Sequence, residues 1–141
     1  MRQKLYFLLC LLFLVTACKT TDFSVVDSSY QQWYDGRGTT SGVNFYVSLK
    51  ANKKLKSLKF TGVDANNHHL NPIAVIGKKR VTDIYVLEKN DTVRIAAPLV
   101  MKGKKPQITD STTVILSYER KNKVYQISVT KLVRKKKLFY P

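Results

Sequence analysis

Gly42-Val43-Asn44-Phe45-Tyr46-Val47-Ser48-Leu49-Lys50 is the stretch that decides the fold. Val43, Phe45, Val47 and Leu49 alternate with Asn44, Tyr46, Ser48 and Lys50. A period of two places the apolar set on one face of an extended strand and leaves the other face polar. The same period returns downstream. Leu58 and Phe60 mark a second run, and Leu70 to Ile76 a third, whose Pro72 suits an edge or a strand beginning. A fourth run, Val81 to Leu87, carries Ile84 and Val86. Lys89-Asn90-Asp91-Thr92 reads as a tight turn into a fifth, with Val93, Ile95, Ala97 and Leu99 on one face. Thr112, Val114, Leu116 and Tyr118 make a sixth. Lys121-Asn122-Lys123 turns into a seventh, where Tyr125, Ile127, Val129 and Val133 share a face.

No period of 3.6 survives beyond the amino-terminal segment. About seven short strands with turns between them predict an all-β chain, a single Ig-like β-sandwich over residues 41–141, with a small open barrel as the alternative. Two antiparallel hairpins are expected, 81–87 with 93–99 and 112–119 with 123–133. Residues 19 to about 40 are polar and rich in Thr, Ser, Asp and Gly, and Asp35-Gly36 signals a turn. They read as a flexible tether, of which about 12 residues give a reach of roughly 20 Å.

The opening of the chain has a different character. Arg2 and Lys4 precede an unbroken apolar run, Leu5 to Val15, too short for a stable membrane-spanning helix. This describes a secretory signal peptide over residues 1–17. Its end, Leu14-Val15-Thr16-Ala17-Cys18, resembles the bacterial lipobox: a branched apolar residue, two small ones and a Cys. The resemblance implies a diacylglycerol on the Cys18 sulfur, cleavage before Cys18 and acylation of the new amino group. Stable anchoring needs more than one acyl chain, and a triacylated Cys18 meets that condition. Lys19 follows where an Asp can mark inner-membrane retention, so the outer membrane is the expected destination.

Length and charge bound the rest. A chain of 141 residues allows one domain. With 44% hydrophobic and 24% charged residues it is neither a disordered tail nor a collagen-like repeat. Cleavage removes Arg2, Lys4 and Cys10, so the formal charge falls from +16 to +14. With Cys18 acylated no disulfide can form, although the compartment permits one. Stability is left to a packed core.

The excess of 25 basic over 9 acidic residues is the largest anomaly. Inside a cell it argues for nucleic acid, but an exported chain does not meet that partner. Outside the cytoplasm the polyanions are lipid head groups, phosphorylated glycolipids, anionic glycans and acidic proteins. The loop from Met101 to Asp110 carries Lys102, Lys104 and Lys105, and the tail carries Arg134, Lys135, Lys136 and Lys137. These seven residues are the candidate anion-binding set. The competing reading is that lysines on edge strands deter edge-to-edge pairing and aid solubility.

Catalytic chemistry has little to work with. His68 and His69 are the only histidines, and as strand neighbours they point to opposite faces. They read as ordinary loop residues after Asp64, Asn66 and Asn67. No other His or free Cys completes a metal site. No hydroxyl sits in a recognisable nucleophile elbow, and no Gly-rich phosphate loop is present. The sequence therefore predicts no enzyme, no cofactor and no nucleic-acid partner. The aromatics Trp33, Tyr34, Tyr46, Tyr85, Tyr118 and Tyr125 read as half-buried core rather than a carbohydrate platform. Leu138-Phe139-Tyr140-Pro141 reads as a tail docked on the sandwich. Asp91-Thr92-Val93 and Asp110-Ser111-Thr112 resemble sites that Bacteroidetes O-glycosylate in exported proteins.

Taken with the lipobox, the Gln32-Trp33 element before Gly36 and Gly42, the turn Asn90-Asp91-Thr92, Ser117-Tyr118-Glu119 and the terminal Tyr140-Pro141, the mature chain resembles a group of small lipoproteins of Bacteroidetes, especially flavobacteria. The resemblance implies an envelope location and supplies no catalytic residue. The expected role is a membrane-anchored, non-catalytic interaction or accessory subunit, bound to envelope proteins. The alternative is a binder of anionic envelope polymers through the basic loops.

Overall fold

The computed structural model describes residues 22–103, 105 and 107–141. The expected signal peptide, Cys18 and Lys104 lie outside the described residues. The strands, in chain order, are β1 (Phe23–Asp35), β2 (Thr40–Ala51), β3 (Leu55–Ala65), β4 (His68–Leu70), β5 (Ile73–Ile76) and β6 (Lys79–Val81). They continue as β7 (Ile84–Leu87), β8 (Thr92–Lys102), β9 (Val114–Arg120), β10 (Lys123–Val129), β11 (Val133–Arg134) and β12 (Leu138–Tyr140). Among the described residues there is no helix.

Two sheets pack face to face. One runs β11-β1-β2-β8-β5-β6, with β12 also paired to β1; the other runs β10-β9-β3-β4, with β7 also paired to β3. The core is the set of alternating side chains already visible in the sequence. Val43, Phe45, Val47 and Leu49 of β2 and Val93, Ile95, Ala97 and Leu99 of β8 are buried opposite Leu58, Phe60, Val63, Leu116 and Tyr118. Phe23 closes one end: its ring meets Tyr118 edge-on at 5.3 Å and Phe60 at 6.0 Å, joining the two sheets.

Local chemistry fixes the connections. Lys121 and Asn122 both have positive φ (51° and 61°), the mark of the two-residue turn whose twist suits a hairpin, and β9 pairs β10 from Arg120↔Lys123 to Val114↔Val129. Asn66 and Asn67 do the same between β3 and β4. Gly42 is required by close approach. A Cβ there would lie 2.3 Å from the Leu99 carbonyl oxygen and 2.5 Å from the Trp33 ring.

Several expectations are corrected. Residues 23–35 are no tether: they form β1, whose Tyr30 is fully buried and whose Ser29 and Gln32 are buried too. The expected boundary at 41 therefore moves back to the start of β1. Strand β7 does not form a hairpin with β8. It pairs β3 in one sheet, whereas β8 pairs β2 and β5 in the other, so the 88–91 turn crosses between sheets. That turn is pinned to the end of β2 by bonds from Asn90 N to Ala51 O (2.8 Å) and from Ala51 N to Asp91 O (2.9 Å). The Leu70–Ile76 run splits at Asn71-Pro72 into β4 and β5, which lie in different sheets. Val133 does not share a face with Val129. It leaves for the other sheet in β11 and is 66% exposed. The separation of these short pieces gives twelve strands among the described residues, where about seven were expected.

The carboxyl-terminal tail docks. Strands β11 and β12 both run parallel to β1, and the Lys135 N–H bonds the Tyr30 carbonyl at 2.9 Å. Trp33 meets Tyr140 and Tyr34 stacks on Phe139, with centroids 6.0 and 5.6 Å apart. The tail covers the upper part of an edge that would otherwise present unpaired backbone groups.

Candidate functional site

Of the seven basic residues singled out in the sequence, the six that are described do not converge. Lys102 ends β8, opposite Thr40 of β2, and Lys105 lies in the loop beyond it. The 134–137 run lies beside β1, three strand spacings or about 14 Å across the sheet from β8. Nor are all of them offered to a ligand. Arg134 turns to the sandwich edge, where its Nε donates to Tyr30 Oη at 2.8 Å. Lys136 offers its carbonyl to Gln31 Nε2 at 2.9 Å. Lys137 Nζ sits 5.9 Å from the centre of the Tyr34 ring.

Lys135 is different, because it joins a residue that sequence reasoning missed. Its Nζ lies 4.8 Å from the centre of the Tyr46 ring, and the Arg94 guanidinium lies 4.6 Å from the same centre. Tyr46 is one of the outward residues of β2, and Arg94 stands on the outward face of β8 opposite Ser48. Cation–π attraction holds both positive groups in place. Beside them is an open groove of about 470 Å³, lined by Tyr46, Ser48, Val75, Gly77, Thr92, Arg94 and Ala96. Two fixed cations, an aromatic edge and two hydroxyls suit an anionic, hydroxyl-rich ligand. Arg94 had no neighbour in sequence to mark it; only the β2–β8 register brings it to Tyr46.

Two buried polar clusters tie the ends of the chain to the sandwich. At the β1 edge, Tyr30 Oη donates to Asp110 Oδ1 at 2.7 Å while accepting from Arg134. Burial raises the Tyr30 phenol above its usual value, and the Asp110 carboxylate adds to this, against the opposing pull of Arg134. At the opposite end, Asp22 is buried. Its carboxylate accepts from Tyr118 Oη at 2.8 Å, pairs with Lys53 Nζ at 3.0 Å and stands 3.4 Å from Arg120 Nη2. These are structural staples, and neither cluster contributes a residue to the groove beside Tyr46.

His68 and His69 fall in β4 rather than in a loop. His69 Nδ1 and Asp64 Oδ1 are 2.7 Å apart, and the imidazole lies over Gly62, which has no side chain to obstruct it. Both partners are exposed. A hydroxyl nucleophile completing this pair is not found among the described contacts. Among the described residues, no group of three or more His, Cys, Asp or Glu side chains is placed to hold a metal. The aromatics divide: Tyr118 is core, Trp33, Tyr34, Tyr46 and Tyr125 are half-buried, and Tyr85 is exposed. No protein-family model matches this chain, and no curated protein matches it at a significant level.

Proposed function

We propose that this chain is a lipoprotein of the bacterial cell envelope, held at the outer membrane by acyl chains on Cys18. Its Ig-like β-sandwich then acts as a non-catalytic interaction or accessory subunit. The observation that carries this reading is the position of β1. It starts at Phe23, five residues after Cys18, so cleavage before Cys18 removes none of the described sandwich. The order β1-β2-β8-β5 facing β10-β9-β3-β4 supports the Ig-like assignment, matching an A-B-E-D sheet against a G-F-C-C′ sheet. The test is metabolic labelling with fatty acid in a bacterium that processes lipoproteins. Label is expected in the native chain and absent from Cys18→Ser, whose domain still folds; label persisting in that variant refutes the anchor.

A second reading, recognition of an anionic envelope polymer, is favoured by the two cations flanking Tyr46 beside the open groove. It shifts the binding set from the seven residues of the basic loops to Lys135 with Arg94. Affinity for a phosphorylated or uronate-bearing glycan is expected to fall steeply with salt and to fall in Arg94→Ala. Binding that ignores both changes rules it out.

A further inference from the structure

We infer that the end of the sandwich at which the chain enters is a docking surface for anionic phospholipid head groups. It rests on the reading of Cys18 as a lipid anchor, and it specifies how the domain sits on that anchor. The strand register gathers four connections at this end. Asn52 N bonds Asp22 O and Asn90 N bonds Ala51 O, each at 2.8 Å, which puts the β2–β3 and β7–β8 turns beside the entry point. Arg120 pairs opposite Leu58 and Lys123, bringing in the β9–β10 turn. Val75 pairs opposite Arg94, so the β5–β6 turn two residues later is level with Thr92.

Residues 50–54, 77–79, 88–91 and 120–123 carry nine basic side chains, against Glu88, Asp91 and the adjacent Asp22. All three carboxylates are engaged within the protein. Asp22 has Lys53, Arg120 and Tyr118; Glu88 pairs with Lys54 at 3.0 Å; Asp91 Oδ2 accepts the Glu88 N–H at 2.9 Å. Lys78, Lys79, Lys89, Lys121 and Lys123 are exposed. Among the described residues, the loops at the far end, 36–39, 66–67, 103, 105 and 107–113, carry only Arg37, Lys105 and Asp110 as charged side chains.

A second observation is independent of charge. Of nine exposed large apolar residues among the described residues, five (Val25, Val26, Tyr85, Val86 and Val124) lie near this same end. Each is within about three residues, roughly 10 Å, of the strand end it follows or precedes. Lysines ringed with exposed valines and a tyrosine are what a bilayer interface accepts: apolar side chains enter the head-group layer while the ammonium groups meet phosphates.

Chain reach selects the lipid leaflet over a soluble polyanion. Four residues span at most about 14 Å between Cys18 and Asp22. With acyl chains in the membrane, this end of the sandwich cannot stand clear of the head groups. The surface potential of an anionic leaflet falls off over a Debye length, about 8 Å, and so short a tether lets these lysines come within its range.

The test uses the intact acylated protein in vesicles of phosphatidylcholine with or without phosphatidylglycerol, containing a nitroxide head-group quencher. A fluorophore is placed at Val124→Cys, on the docking end, or at Val100→Cys, near the far end. With phosphatidylglycerol present, quenching at position 124 is expected to exceed that at position 100 severalfold. High salt reduces the difference to what the short tether alone leaves, while the protein still floats with the vesicles. Each lysine near such a leaflet contributes about fivefold to docking, so Lys78, Lys79, Lys89 and Lys123 changed together to Gln lower the docked-to-undocked ratio by nearly three orders of magnitude, about 600-fold. Equal quenching at the two positions, or a difference that neither salt nor the quadruple variant reduces, overturns the docking surface while leaving the anchor intact. A protein that does not float with either vesicle, or lacks acyl mass, overturns the anchor and the docking surface together.

Discussion

Replacing Asp22 with Ala tests whether the entering chain is stapled to the sandwich. The buried carboxylate accepts from Tyr118 Oη at 2.8 Å, and Tyr118 is fully buried, so truncation removes a charge-assisted hydrogen bond from the core. A hydrogen bond to a charged group contributes about 1.5–3 kcal/mol. Arg120 also loses its counter-charge at 3.4 Å but keeps the Tyr125 ring, 5.3 Å from its guanidinium carbon. The Lys53 pair adds little, because that lysine is half exposed. Removing the carboxylate also removes its own desolvation cost, which holds the total to about 2–3 kcal/mol. Asp22→Asn keeps an acceptor and should lose about half as much. In a double-mutant cycle with Tyr118→Phe, the coupling should be about 1–2 kcal/mol, since the two residues share one hydrogen bond. Urea denaturation followed by circular dichroism gives all four values. A loss below about 0.5 kcal/mol for Asp22→Ala, or strict additivity in the cycle, refutes the reasoning.

Gly42→Ala forces a Cβ to 2.3 Å from the Leu99 carbonyl oxygen, which only a backbone shift relieves. The expected loss in denaturation is about 2–3 kcal/mol, the upper range for overpacking, with the Trp33 emission shifted; an unchanged midpoint contradicts the close approach. The raised Tyr30 phenol predicts an alkaline limit. Its folded-state pKa lies above the ordinary value of 10.0, so the neutral form is stabilised by folding, that contribution is complete below pH 10.0, and it is lost as pH rises through the folded value. A phenolate absorbance titration should show one tyrosine ionising late, together with tail release, and Tyr30→Phe should remove that step. Arg134→Ala should free the tail without unfolding the sandwich, seen as faster amide exchange at residues 133–140 and unaltered exchange in β2 and β8.

Much of this fold is legible in the sequence because burial on one face of a strand writes itself as alternation. Strands β2, β8 and β9 follow that rule almost residue by residue, and Lys121-Asn122 announces its hairpin. Strand β1 was not legible for two reasons. Its inward positions include Gln32, and Ser29 is buried although polar, so the apolar signal is thin. The register also slips between Val25 and Asp27, where a bulge breaks the period of two. The Lys89-Asn90-Asp91-Thr92 turn shows a different limit. Turn chemistry says that the chain reverses, not whether the next strand returns to the same sheet. Here Asn90 and Asp91 bond to Ala51 and carry the chain across to the other sheet. The basic runs were visible as composition, yet their partners were not. Arg134 was spent on Tyr30, while the isolated Arg94 reached Tyr46 through strand pairing alone.

Anchoring through Cys18 is the claim from which the location, the docked orientation and the short reach all follow. Intact-mass and peptide mass spectrometry of the native protein, extracted from its membrane, tests it most directly. The amino-terminal peptide should begin at Cys18 and carry a thioether-linked diacylglycerol with a third acyl chain on its amino group. A peptide beginning at Met1, or a Cys18 with an unmodified thiol, contradicts the account.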